Sequence, residues 1–541
     1  MGKRKVNELV ENLLTLAKKS QKEHQWEKAI EYFNQYIKEN NDTAEDSVYT
    51  AYARCTRIVG RTDAAKKILV EGQRHHPKSE RILLEYHNLY DALGEWESAL
   101  HVAKSLIKKN PKHADYHFRL GRSYSFLFKN KKAKKAYYEA LELTHHIPFE
   151  QLIEKIQSRF AEDTSDVRST YVFIDGKNNL GAFIHDYRGE KFITKISKYT
   201  HKNNGAGREE TFYKNICADF PQLNTIVPQY VDSLVLDKIS YLTIEMIDTI
   251  SEHPTANHIQ KIMAASQKIS TIPYEGIHNR YQLPNYVFQF KKGRAISVVH
   301  FFTRIHEETF NKRLFEAVHL IMKQHKYPRG IRHLMQRLES VIMTNRLYAY
   351  MEPEKHYSLL HGDFAFQNIL MKEKDATPWV IDWTSFTIGP HFIDLARYFT
   401  SQLLPYSEVK ARYIEDKDTG QKLSEIERIF FLYALILFYF QKLGRKGIET
   451  SLSDYILPAL EDLEYAVMKW NLMMEGDQME EETLKELKEK DLKIQQLNQK
   501  AELLEEEREH LAKRLMDMET SKSWKITAPL RLFMERKQNK K

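Results

Sequence analysis

The chain has 541 residues, 42% of them hydrophobic and 12% aromatic, which is too long for one hydrophobic core and too apolar for wholesale disorder. Its 82 basic residues nearly balance 74 acidic ones, so the net charge of +8 gives no argument for nucleic-acid binding. The two cysteines, Cys55 and Cys217, stand far apart and exclude a disulfide framework, which suits a reducing compartment. The N-terminal MGKRKVNELVENLL lacks the apolar stretch of a secretory signal. The longest apolar run, Ile429–Phe440, is too short to span a bilayer and predicts a buried helix, so a cytoplasmic protein is expected.

In chain order, residues 1–148 repeat. Ala65, Ala99 and Ala133 stand 34 apart, as do Pro77 and Pro111. Gly121, Tyr124, Ala133, Tyr137 and Ala140 alternate small and aromatic positions as packed helix pairs require. Tyr90, Ala99 and Pro111 mark one further unit, and Trp26, Ala29 and Phe33 another. The pattern resembles a tetratricopeptide array of about four units, which implies an α-solenoid that binds protein partners. Residues 149–169 predict a bridging helix, Phe149–Phe160, and a polar linker, Ala161–Ser169.

The periodicity then shortens to two. Tyr171–Asp175, Ala182–Tyr187 and Lys191–Ile196 predict an antiparallel meander, with GKNNLG and RGE as its turns. The helix-like GREETFYKNI and the apolar YLTIEMIDT, Tyr241–Thr249, complete a small sheet lobe over 170–253. From Pro254 the pattern is mostly helical to 472, interrupted at His361–Asp394.

That interruption carries the chemistry. LLHGDFAFQNILM and WVIDWTSFTIGPHFIDLARYF hold an Asp, an Asn five residues on, and a second Asp after an apolar run. Phosphoryl transfer needs a carboxylate to receive the acceptor's proton, here Asp363. It also needs an amide and a carboxylate to hold magnesium against a triphosphate, here Asn368 and Asp382. The order HGD(x)4N, IDW and DLA resembles the superfamily of aminoglycoside phosphotransferases, choline kinases and fructosamine kinases.

The resemblance implies a bilobal protein-kinase-like fold that uses ATP and Mg2+. It further implies that His361 braces the catalytic loop, that Asp394 hydrogen-bonds it, and that Trp383 stands where protein kinases carry Phe. Lys195 falls at the phosphate-binding lysine, with Glu209 or its neighbour Glu210 as the paired carboxylate. Gly176 and Gly181 bound the turn that would cover the phosphates, and backbone near Glu245 and Ile247 would meet adenine. The helical insert Pro254–Met351, where the superfamily builds its acceptor pocket, identifies no acceptor.

Residues 480–520 predict a coiled coil: Leu487, Ile494, Ala501 and Leu515 take one heptad position, and Leu497, Leu504, Leu511 and Met518 the other. Lys490 and Arg508 are exceptions; a heptad pattern of this length would leave a leucine seam exposed unless it found a partner, so a homo-oligomer is expected. Residues 521–541, with SKSWKITAPLR, resemble the tail that follows coiled coils in bacterial enzymes of surface-polysaccharide assembly. Trp524, Leu530 and Phe533 among Lys525, Arg531 and Arg536 suit contact with an anionic membrane face. The leading expectation is an ATP-dependent kinase acting on a hydroxyl, of a sugar in surface-polysaccharide synthesis. A kinase-fold scaffold with weak catalysis is the alternative, and an aminoglycoside-type kinase the third reading.

Overall fold

The computed structural model describes residues 2–475, except 24, 41–43, 175–178, 200–204, 250–257, 282–302, 325–326, 328, 416–422 and 444–451, together with Lys493. Apart from Lys493, the expected coiled coil and tail lie outside the described residues, as does Gly176. Met1–Leu463 forms one compact unit and Glu464–Lys541 a second; all contacts given below lie in the first.

The N-terminal part is a row of antiparallel helix pairs: α1 (Gly2–Lys22) with α2 (Trp26–Asn40), α3 (Asp46–Ile58) with α4 (Thr62–His75), α5 (Glu80–Leu93) with α6 (Trp96–Lys109), and α7 (Ala114–Phe126) with α8 (Asn130–His145). The periodic alanines Ala65, Ala99 and Ala133 are buried where partner helices approach. A Cβ on Gly72 would stand 2.8 Å from that of Tyr49, and one on Gly121 2.6 Å from the Tyr137 ring, so aromatic rings fill the space that small residues leave. Turn chemistry fixes the joints: the Ser79 hydroxyl caps α5 by accepting from the Ile82 amide, and Gly94 ends that helix at φ 74°.

The chain crosses into the sheet through α9 (Phe149–Gln157). β1 (Val167–Val172), β2 (Asn179–Tyr187), β3 (Glu190–Lys198), β4 (Tyr230–Leu236) and β5 (Ile239–Glu245) pair antiparallel in the order β1-β2-β3-β5-β4. Here the structure departs from the expected linker: β1 begins at Val167, inside the polar stretch, and pairs Val167 with Tyr187. The Gln157 amide, at the end of α9, donates to Val167 O at 3.2 Å and to Ser169 Oγ at 2.7 Å, and so ties the helix to the strand.

Between β3 and β4, α10 (Gly205–Thr211) runs through a π turn, Phe212–Ile216, into α11 (Cys217–Asp219). The second lobe holds α12 (Ile259–Ser270), α13 (Tyr274–His278), α14 (Glu308–Gln324), α15 (Arg329–Thr344) and α16 (Pro353–His356), then two short ribbons. In these, β6 (Tyr357–Leu360) pairs with β9 (Thr387–Pro390), and β7 (Ile369–Met371) with β8 (Pro378–Val380). α17 (Ile393–Ser401), α18 (Tyr406–Val409), α19 (Glu425–Leu443) and α20 (Leu457–Glu475) follow. Every residue of Ile429–Phe440 in α19 is buried, and no described helix is long and apolar enough to cross a membrane.

Among the described residues, two hydrophobic clusters shape the repeat array and its junction with the sheet. One lies within α1–α7, around Phe33, Tyr49, Ala53, Leu69, Ile82 and Leu89. The other joins α7, α8 and α9 to the sheet, with Phe118, Tyr137, Phe149 and Leu152 packed among Tyr171, Phe183, Ile196 and Tyr241.

Candidate active site

Lys195 sits mid-strand in β3, opposite Ala182 on β2 and Leu242 on β5. Its ammonium contacts the Glu209 carboxylate of α10 directly and stands 3.8 Å from Asp382 Oδ1. Glu210, the alternative partner, faces the sheet and accepts from Ser233 Oγ at 2.8 Å. Burial pulls the Lys195 ammonium down, but Glu209 and Asp382 outweigh it and hold its pKa above the ordinary lysine value. Burial raises Glu209 while Lys195 pulls it back. We read the pair as charged, because each partner supplies the countercharge that desolvation makes necessary.

The loop between β6 and β7 carries His361, Asp363 and Asn368. His361 Nε2 donates to Ile381 O at 2.9 Å, and its Nδ1 accepts from the Asp363 amide at 3.2 Å. That pattern needs the neutral Nε2–H tautomer, and burial keeps the pKa of His361 below the usual histidine value. The Asn368 side-chain amide donates to Asp363 O at 2.9 Å, and its backbone carbonyl accepts from Ile381 at 2.9 Å, so the loop is tied to the strand that leads to Asp382.

Gly362 is obligatory here. Its φ is 79°, and an added Cβ would stand 2.0 Å from Ser385 O. Asp382 itself adopts φ 64°, a left-handed conformation that aspartate tolerates better than most residues, and Thr384 Oγ1 donates to its Oδ1 at 3.0 Å. Behind it, the Trp383 ring stacks on Phe212 at 3.7 Å between centroids and meets His361 edge-on at 4.5 Å.

Asp394, buried at the start of α17, accepts from the His361 amide at 2.7 Å and from the Gly362 amide at 3.1 Å. Burial raises its pKa to about 7, against the pull of those two donors. Sequence reasoning missed Arg397, which donates from Nε at 3.1 Å and from Nη2 at 3.0 Å to Asp363 Oδ1. The signal was available: Arg397 lies three residues after Asp394, on the same face of one helix.

The remaining predicted positions lie at the edges of this group. Gly181 has φ 123°, and a Cβ there would fall 2.6 Å from the Tyr171 hydroxyl, which donates to Leu180 O at 2.5 Å. Glu245 ends β5 with its amide on Gln229 O and its carboxylate accepting from the Gln229 amide. Its own N–H is thus engaged in the protein, as is that of Met246, which donates to Lys191 O at 3.0 Å. The following Ile247 is buried, and its backbone N–H makes no hydrogen bond among the described residues.

The donor set suits a hard divalent cation. Asn368 presents an amide oxygen that no described group hydrogen-bonds, and Asp382 a half-exposed carboxylate. Among the described residues no group of three or more His, Cys, Asp or Glu could hold a metal.

A five-stranded sheet lobe, a helical lobe, and a lysine from the first facing an aspartate from the second define a kinase-like domain behind a helical-repeat array. Residues 297–422 match the phosphotransferase enzyme family, APH. No curated protein matches the chain. Among solved structures, the chain is similar to spectinomycin phosphotransferase APH(9)-Ia in complex with ADP and spectinomycin, with 14% identity over 59% of this chain and 94% of that one and a TM-score of 0.34. It is also similar to a thermostable mutant of aminoglycoside phosphotransferase APH(4)-Ia with ADP and hygromycin B: 14% identity, 59% of this chain, 97% of that one, TM-score 0.35. The repeat region is similar to MamA, at 20% identity over 25% of this chain and 77% of that one, with a TM-score of 0.24.

Proposed function

We propose that the chain is a kinase-like phosphotransferase that moves the γ-phosphoryl group of ATP to an acceptor hydroxyl, with Mg2+ as cofactor. The observation that carries this reading is the approach of Lys195, already paired with Glu209, to within 3.8 Å of Asp382. A cation fixed by one carboxylate and facing a second suits the phosphates and metal of a nucleotide. The family match over 297–422 supports the same class.

In this reading Lys195 binds nucleotide phosphate, and Asn368 and Asp382 hold Mg2+, which when bound offsets the charge of the triphosphate. Backbone at Glu245–Ile247 receives adenine, with the Ile247 N–H, unengaged among the described residues, as donor. Gly176 and Gly181 bound the turn over the phosphates. The acceptor oxygen bonds to the γ-phosphorus, the bond from that phosphorus to the bridging oxygen breaks, ADP leaves, and the hydroxyl proton passes to Asp363. His361 and Asp394 hold the loop backbone that carries Asp363.

The finer reading takes the acceptor as a sugar hydroxyl, with partners on the repeats, self-association through 480–520, and a cytoplasmic chain whose tail contacts an anionic membrane. It rests on the sequence of residues 1–148 and 480–541. Incubation with γ-labelled ATP, Mg2+ and separate pools of membrane glycolipid, small sugars, aminoglycosides and choline tests both levels. Label in any pool, lost in Asp363→Asn, supports the phosphotransferase; label confined to aminoglycoside or choline removes the glycan reading alone.

A further inference from the structure

The catalytic loop is held by one face of one helix. Asp394, Arg397 and Ser401 follow the i, i+3, i+7 spacing of a single stripe on α17. Asp394 takes the His361 and Gly362 amides, and Ser401 Oγ accepts from the Phe366 amide at 3.1 Å. These outer two contacts fix the loop's backbone on either side of Asp363. The middle contact is of another kind, because Arg397 grips the Asp363 side chain rather than the loop backbone.

We propose that Arg397 is a positioning residue that locks the Asp363 carboxylate in one orientation, with Oδ1 held and Oδ2 left to receive the acceptor's proton. This rests on the phosphotransferase reading above. Both guanidinium donors converge on Oδ1, while Oδ2 has no hydrogen-bond partner among the described residues. The Arg397 side chain is 18% exposed against 39% for Asp363, and its guanidinium lies 5.9 Å from the centre of the Phe438 ring on α19. The arginine is therefore the packed, pre-set member of the pair and the aspartate the member that meets solvent. An exposed ion pair would do little, but a planar cation seated on a ring restricts a carboxylate it grips through two N–H groups. Since the loop backbone is anchored independently at Asp394 and Ser401, loss of Arg397 frees the Asp363 rotamer without releasing the loop.

The test is Arg397→Met, which keeps a stem against Phe438. Phosphate release from Mg-ATP should fall 10- to 100-fold, the scale expected when a reacting group is misplaced by about an ångström, while the affinity for Mg-ATP stays within about twofold of wild type. Arg397→Lys, which restores charge without the planar fork, should recover part of the loss, and methylguanidinium should partly rescue Arg397→Ala. In the Asp363→Asn background Arg397→Met should add nothing. Undiminished turnover in Arg397→Met, or a full additional loss in the double variant, overturns the proposal. Where turnover is too slow to read, crystals of Arg397→Met decide, since an Asp363 rotamer unchanged from wild type contradicts it. A wild type that fails to bind Mg-ATP instead removes the phosphotransferase reading.

Discussion

The core of the repeat array and the core of its junction with the sheet are built on different principles. In the core of α1–α7, neighbours in space are neighbours in the repeat, and ion pairs such as Arg57–Glu85 and Arg122–Asp91 span about one repeat length. In the junction core, α8 and α9 pack onto strands far along the chain: His145 contacts the Tyr241 hydroxyl at 2.7 Å, Phe149 packs against Tyr171 and Phe183, and Tyr137 stacks on Phe173. Lys198, three residues after Lys195 on β3, pairs with Asp115 at 3.1 Å and sits 4.3 Å over the Phe118 ring. The first core belongs to an array that can lengthen or shorten by units. The second makes the last repeat part of the sheet lobe.

Truncation separates the two most sharply. A chain starting at residue 111 keeps α7–α9 and should stay soluble and bind Mg-ATP like wild type. A chain starting at residue 161 strips the sheet of Phe118, Tyr137, Phe149 and Leu152, and should aggregate. Solubility and nucleotide titration read both; a folded, nucleotide-binding protein from the shorter chain would show that the junction is dispensable. Next in size, Phe149→Ala should cost about 3–5 kcal/mol in denaturant unfolding and weaken Mg-ATP binding. Phe33→Ala, at an equally buried site in the array, should cost a similar amount and leave nucleotide affinity unchanged.

The smallest effect is titration. Burial lowers His87 in the array and His185 in the sheet to about 4, so each is neutral when folded at pH 7. Below the ordinary value of 6.5 the unfolded chain binds protons that the folded chain refuses, so stability should fall as pH drops from 6.5 towards 4. His87→Gln and His185→Gln should each flatten that slope in thermal unfolding. A slope unchanged in both would place the acid sensitivity elsewhere.

Legibility follows the range of the interactions. The 34-residue spacing and the HGD(x)4N, IDW and DLA order are local patterns, readable in the sequence alone. The choice between Glu209 and Glu210 is not, because adjacent helix residues differ only in which way α10 turns: Glu209 is buried against Lys195, whereas Glu210 reaches Ser233. The polar run before Ser169 hides the start of β1, since an edge strand can carry exposed Arg168 and Thr170 and still pair with β2. The junction core is invisible for a different reason: His145 and Tyr241 are 96 residues apart, and nothing in either segment's periodicity refers to the other.

Whether the two lobes meet around a magnesium-bound nucleotide is read most simply by calorimetric titration of the full chain with Mg-ATP, repeated for Asp363→Asn and Asp382→Asn. Wild type and Asp363→Asn should both bind in a magnesium-dependent way, although Asp363→Asn no longer releases phosphate, and Asp382→Asn should lose much of the magnesium-dependent affinity. Nucleotide affinity indifferent to magnesium and to Asp382 would contradict the kinase-like site.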